Sequence, residues 1–105
     1  MMRTILLAAV SALAVGVLLP AVPAWAAAPG GDFTGHGVKI RETPRLNGKV
    51  RGHGNPGDRY TWHGGHGTAD AVTCPNGEVK DHWTYVVNNR TRVHGFVSDC
   101  FIRAD

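Results

Sequence analysis

The chain has few of the residue types that catalysis most often uses. Its 105 residues include only two serines and two cysteines, and charged residues make up 18% of the total. Ser98 is the only serine after residue 26, and a nucleophile needs a base and an orienting group beside it. The scattered acidic residues do not show a spacing that selects a pair for glycoside hydrolysis. We therefore expect no enzyme activity and no cofactor.

The chain also has only a small excess of positive over negative charge. The formal net charge is only +3, and acidic residues lie between the basic ones. A nucleic-acid-binding protein shows a basic stripe, whereas this chain has only a loose basic group at Arg41, Arg45, Lys49 and Arg51. We expect no nucleic-acid partner, and at most a weak attraction to an anionic surface such as a cell-wall polymer.

The only long apolar run is at the N-terminus. Arg3 precedes an apolar run over residues 5–19, and Pro20 and Pro23 follow the run. Ala24 and Ala26 then fit the small-x-small pattern of a signal-peptidase site, with Ala26 and Ala28 as a second choice. A membrane anchor is the alternative, but a spanning helix needs about 20 apolar residues. We predict a cleaved signal peptide over residues 1–26 and a secreted protein that is not held in the membrane afterwards.

The remaining residues are enough for one small domain. The Gly- and Pro-containing stretch 27–36 is predicted to be a flexible leader, and residues 37–105 the domain. A core this small is often stabilised by a disulfide, which persists in an oxidising compartment. Two cysteines allow only one pairing. We predict a Cys74–Cys100 disulfide; two separate thiols or a shared metal are the alternatives.

Alternation with a period near two dominates this domain. It is visible at Val38 and Ile40 and at Trp83 and Tyr85, and turn residues separate the apolar segments at 56–58, 75–77 and 88–91. These features predict an all-β fold, a small barrel of about five short strands. Its core is predicted to consist mainly of β-branched residues, namely Val38, Ile40, Val50, Val72, Val86, Val97 and Ile102.

Four motifs in order resemble a bacterial SH3 (SH3b) domain between residues 37 and 102. The first is Gly-Val-Lys-Ile-Arg-Glu-Thr-Pro at 37–44, and the second is Val-Arg-Gly at 50–52 followed by the turn at 56–60. The third is Trp-Thr-Tyr-Val at 83–86, and the fourth runs from Gly95 to Ile102 through a helical turn. The chain departs from the family at Lys39 and Thr43, where Asn and Gly are usual, and in a long glycine-rich insert over 64–81.

The resemblance implies a monomeric, non-catalytic module that recognises a peptidoglycan component or an extracellular peptide. Aromatic rings can stack on sugars and peptide planes, so Tyr60, Trp62, Trp83 and Tyr85 are the candidate ligand-binding residues. Trp83 is the strongest candidate, because it resembles the groove tryptophan of SH3-like folds. The alternative is that these four aromatic residues belong to the core.

Two other functions stay open. The chain could be an exported inhibitor or effector that blocks a protein partner through a 64–81 loop. It could also bind a metal through His63 and His66, because imidazole is a common ligand of zinc, copper and nickel. Zinc sites need three or four ligands in fixed geometry, and these histidines have glycine neighbours and no third partner in sequence. Solvent-exposed loop histidines are the simpler interpretation, so we predict no metal site.

Overall fold

The computed structural model describes residues 29–105, apart from the side chain of His66. This part of the chain forms seven strands and one short 3-10 turn at Asp99–Phe101. The predicted signal peptide and the first residues of the predicted leader lie outside it. None of the described residues forms a helix long and apolar enough to cross a bilayer. The strands are β1 (Gly30–Phe33), β2 (Val38–Arg41), β3 (Val50–Gly54), β4 (Tyr60–Thr73), β5 (Val79–Asn88), β6 (His94–Ser98) and β7 (Ile102–Ala104).

All seven strands belong to one antiparallel sheet in the order β3-β2-β6-β5-β4-β1-β7. The all-β prediction is confirmed, with seven strands instead of about five. The sheet is strongly curled. Gly54, on the edge strand β3, lies against the ring of Phe33 on β1, and β1 is the neighbour of the opposite edge strand, β7. Strands far apart in the sheet therefore share one core.

The core cluster combines β-branched and aromatic side chains. As predicted, Val86 and Val97 are buried in it, but Val50 and Ile102 are only half-buried. Phe33, which was not named as core, and Tyr60 and Trp83, for which the core was the alternative interpretation, are buried more deeply than those two. A domain this small has to bury its largest rings to enclose enough apolar surface. The buried cluster consists of Phe33, Val38, Ile40, Tyr60, Val86 and Val97.

The leader prediction is wrong for residues 30–33, which form β1 between β4 and β7. The two glycines of this strand permit a close approach of the backbones, because a Cβ at Gly31 would collide with the Arg103 carbonyl oxygen. The Asp32 carboxylate accepts hydrogen bonds from the backbone N–H groups of Gly57 and Arg59 at 2.9 and 3.0 Å. These contacts fix a segment whose composition alone is typical of a flexible leader.

The insert at 64–81 is also different from the predicted loop. Residues of β4 and β5 pair through most of it as a long hairpin, with register shifts between Trp62 and His66 and between Thr68 and Val72. Bulges let a glycine-rich strand keep its backbone pairing, and this is why composition misled the prediction. The predicted turn at 75–77 is confirmed, since the Gly77 N–H donates to the Cys74 carbonyl at 2.9 Å.

The closing segment has the predicted order of strand, helical turn and short strand. The Ser98 hydroxyl caps the 3-10 turn by accepting from the Cys100 N–H at 3.2 Å. The Cys74–Cys100 disulfide is confirmed, with 5.0 Å between the two Cα atoms. It joins the tip of the β4–β5 hairpin to the closing turn. Such a bond persists in an oxidising compartment.

Candidate functional site

The four candidate aromatic residues do not form one groove. Residues paired across a sheet share a face, and neighbours along a strand point to opposite faces. Trp62 pairs with Val86, the neighbour of Tyr85, so Trp62 and Tyr85 lie on opposite faces of the sheet. Tyr60 shares the face of Trp62, and Trp83 shares that of Tyr85. The register therefore divides the predicted groove into two halves.

Burial divides the same residues differently. Trp83 is 2% exposed and its Nε1 donates to the Asp70 carbonyl at 2.9 Å, while Tyr60 is 5% exposed. Neither ring presents a whole face to solvent, and the prediction that Trp83 is the leading binding residue stays a prediction. Tyr85 is half-buried and packs edge-on against Phe96, with 5.0 Å between ring centroids. Trp62 is 39% exposed and is the most accessible of the four.

A cleft lies on the side of the sheet that carries Trp83. We call it the Lys39 cleft; its volume is about 360 Å³, within the range of about 300–1,000 Å³ typical of ligand sites. Trp83 and Val38 contribute buried apolar surface to its wall. It is lined by Thr34, Gly35, His36, Gly37, Val38, Lys39, Arg41, Leu46, Val72, Pro75, Trp83, Ser98 and Phe101.

The charged residues that line the Lys39 cleft are all basic. Lys39 is exposed and makes no hydrogen bond or ion pair with any described residue, whereas Arg41 donates to the Gly48 carbonyl at 2.9 Å. None of the described residues that line the cleft carries a carboxylate. Leu46 is 53% exposed, and its N–H donates to the Asp70 carboxylate at 2.9 Å, which holds its loop in place. A lone leucine in the polar 44–49 loop was the sequence signal for this site, and the prediction did not use it.

A second cleft, the Trp62 cleft, opens on the other side and has a volume of about 340 Å³. The Tyr60 side chain lines it, yet the Tyr60 hydroxyl has no hydrogen-bond partner among the described residues. Burial, together with the negative charges of Asp99 and Asp105, raises the pKa of Tyr60, so its hydroxyl stays protonated. The lining residues are Pro29, Gly30, Tyr60, Trp62, Lys80, Thr84, Asp99, Ile102 and Ala104.

The histidines are placed differently from the prediction. The rings of His63 and His94 approach to 5.3 Å between centroids, on the face that also carries Tyr85. The described residues contain no group of three or more His, Cys, Asp or Glu that could hold a metal ion. The pairing of His63 with His66 involves a side chain outside the described structure, and that hypothesis stays untested.

No protein-family model, curated protein or solved structure matches this chain. The resemblance of its motifs to SH3b domains therefore stays a prediction. The two clefts are the features from which a function can be inferred.

Proposed function

We propose that the protein is a secreted, non-catalytic, SH3b-like binding module. We further propose that its Lys39 cleft binds a cell-wall or extracellular peptide with a carboxylate next to an apolar side chain. The observation that carries the proposal is an apolar cleft whose charged lining residues, within residues 29–105, are Lys39 and Arg41.

The apolar part of the cleft suits a small hydrophobic side chain. Val38 and Trp83 are buried, so their positions are fixed before a ligand arrives, and Leu46 at the rim keeps about half of its surface exposed. Covering that leucine removes apolar surface from water, which is favourable. Because the wall is preformed, binding does not have to order these side chains first.

The basic part of the cleft suits a carboxylate. The Lys39 ammonium has no competing partner in the described part of the chain, and an ion pair with a ligand would give a charge-assisted hydrogen bond. Arg41 is already held by a carbonyl, so it contributes mainly a fixed positive charge. Peptides of cell-wall polymers offer free carboxylates beside small apolar side chains, and the disulfide supports an extracellular location.

Co-sedimentation with purified peptidoglycan tests this proposal. Lys39→Glu should reduce binding by about tenfold or more, because it places a carboxylate where the ligand carboxylate is expected. Lys49→Glu is the matched control, since Lys49 is exposed, lies outside the cleft and undergoes the same change in charge. Leu46→Asp should weaken binding in the same way.

The control variant separates specific binding from general attraction. If Lys39→Glu and Lys49→Glu weaken binding equally, and raised salt abolishes it, only non-specific charge attraction remains and the proposal fails. Absence of binding by the unsubstituted protein would also overturn it. Trp83→Ala is not a suitable variant, because removing a buried tryptophan costs about 3–5 kcal/mol of stability.

A further inference from the structure

The Trp62 cleft is lined by a buried tyrosine whose hydroxyl has no hydrogen-bond partner among the described residues. Tyr60 is 5% exposed, and its hydroxyl makes no hydrogen bond within the described protein. Nearly all buried polar side-chain atoms in native proteins have a partner, either in the protein or in ordered water. The Tyr60 hydroxyl can both donate and accept. An unpartnered hydroxyl of this kind, on a residue that lines a cleft, is available to hydrogen-bond a polar ligand.

The other groups of the cleft define what that ligand is. Trp62 offers a partly exposed ring, Lys80 an ammonium donor, and Asp99 a carboxylate acceptor. Asp99 Oδ1 already accepts from the Thr84 hydroxyl at 2.6 Å, which orients the carboxylate and leaves Oδ2 for a ligand. Lys80 makes no ion pair or hydrogen bond with the described residues.

We propose that the Trp62 cleft binds a pyranose ring of a saccharide. A pyranose has an apolar face of C–H groups and a rim of hydroxyls that both donate and accept, so one molecule can stack on the exposed part of the Trp62 ring and hydrogen-bond to the other three groups. The apolar face stacks on Trp62. The hydroxyls bond to Tyr60, to the Lys80 ammonium and to Asp99 Oδ2.

Charge and size favour this class over others. Lys80 and Asp99 carry opposite charges, so the cleft has no net preference for an ionic ligand, unlike the Lys39 cleft. A volume of about 340 Å³ is near the lower end of ligand sites and suits one or two rings instead of a long chain. The site lies on the opposite face of the β4–β5 sheet from Trp83, so it does not depend on the proposed function of the Lys39 cleft.

Isothermal titration of the full disulfide-bonded protein with two soluble probes tests the inference. The probes are a four-unit oligosaccharide of N-acetylglucosamine and one of glucose, each raised to roughly 10 mM. Saturable binding of at least one probe is expected. Trp62→Ala should weaken it by roughly tenfold or more, and Tyr60→Phe by about threefold to tenfold, because the latter removes only the hydroxyl.

Two controls make the result specific to this cleft. Val79→Ala truncates an exposed apolar side chain outside both clefts, and Lys49→Glu reverses a charge on an exposed residue outside both clefts; both should leave saccharide affinity unchanged. Tyr60→Phe keeps the buried ring, so it remains informative if Trp62→Ala does not fold. Failure of the unsubstituted protein to bind either probe overturns the inference, as does binding that Tyr60→Phe and Trp62→Ala leave intact. Neither outcome bears on peptide binding at the Lys39 cleft.

Discussion

The side-chain amide of Asn88 donates a hydrogen bond to the Asp58 carboxylate at 3.1 Å, and both residues are buried. The same amide nitrogen donates to the His53 carbonyl at 3.2 Å. Its oxygen accepts from the backbone N–H groups of Arg90 and Thr91 at 2.9 and 3.2 Å. One side chain therefore holds β3, the turn before β4 and the β5–β6 turn together.

Asn88→Asp should destabilise the protein strongly. The substitution removes the two amide donor contacts and places a second carboxylate against Asp58 in a buried position. Uncompensated buried charge costs about 3–5 kcal/mol, so the free energy of unfolding in urea at pH 7 should fall by roughly that amount. Asn89→Asp is the matched control, because Asn89 is exposed and its oxygen only accepts from the Thr61 hydroxyl, which a carboxylate can also do. Equal losses in the two variants would contradict this prediction.

Acid should destabilise the protein through Asp58. The hydrogen bond from Arg90 Nε at 2.6 Å, and then that from Asn88, hold the pKa of Asp58 below its ordinary value of 3.8. Since the folded protein binds this proton more weakly than the unfolded chain, protonation favours unfolding. The contribution should be complete above about pH 5 and be lost as the pH falls through 3.8 towards the lower folded pKa.

Urea titrations at a series of pH values between neutrality and about pH 2 would measure this loss. Asp58→Asn should start less stable at neutral pH and show a shallower decline below pH 4, because one of the titrating groups is gone. Asp32 adds to the decline in both proteins. Burial raises the pKa of Asp32, but the backbone N–H groups of Gly57, Phe33 and Arg59 more than offset it, and the net shift is downward. An unchanged slope in Asp58→Asn would be evidence against the prediction.

Gly54→Ala should destabilise the core. A Cβ at this position would collide with the Phe33 ring, and overpacking of this kind costs about 1–3 kcal/mol. Gly65→Ala is the control, because a Cβ there has its nearest contact with the Tyr85 side chain at 3.9 Å, an ordinary distance. Its effect should stay within about 0.5 kcal/mol, as for most surface substitutions. Thermal or urea unfolding of both variants would compare them, and similar stabilities would count against the curled packing of β3 on β1.

Removing the disulfide should lower stability by about 3 kcal/mol. The bond joins two cysteines with a sequence separation of 26. In the chain-entropy model, a cross-link of that span lowers the entropy of the unfolded chain and so raises its free energy by about 3 kcal/mol. A double Cys74→Ala, Cys100→Ala variant and the reduced protein should unfold at similar urea concentrations, both below the oxidised form. In the oxidised folded protein a thiol reagent should label neither cysteine; labelling of both would refute the bond.

Local pattern was sufficient to predict much of this fold. Alternation at Val38 and Ile40 identifies β2, and Asn76-Gly77 identifies the hairpin turn, because both signals depend on neighbours in sequence. The disulfide also followed from local chemistry and a count of two cysteines. These features need no knowledge of which strand lies beside which.

The candidate site depended on information that is not local. The sequence indicates that Tyr60 and Trp62 share one face of their strand and that Trp83 and Tyr85 share one face of theirs. It does not indicate the register between the strands, and a shift of one residue exchanges the faces. Likewise, β1 is fixed by partners on β4 and β7, which are distant in sequence, and this is why its four residues read as leader.

The position of β1 has a consequence for the order in which the fold can be completed. It is the first of the seven strands to be synthesised, yet it pairs only with β4 and with β7, the last of them. Because β7 joins the sheet through β1 alone, β1 keeps one unpaired edge until β7 has been made. Such long-range pairing slows folding. The native seven-stranded sheet is therefore completed only once β7 is available to pair with β1.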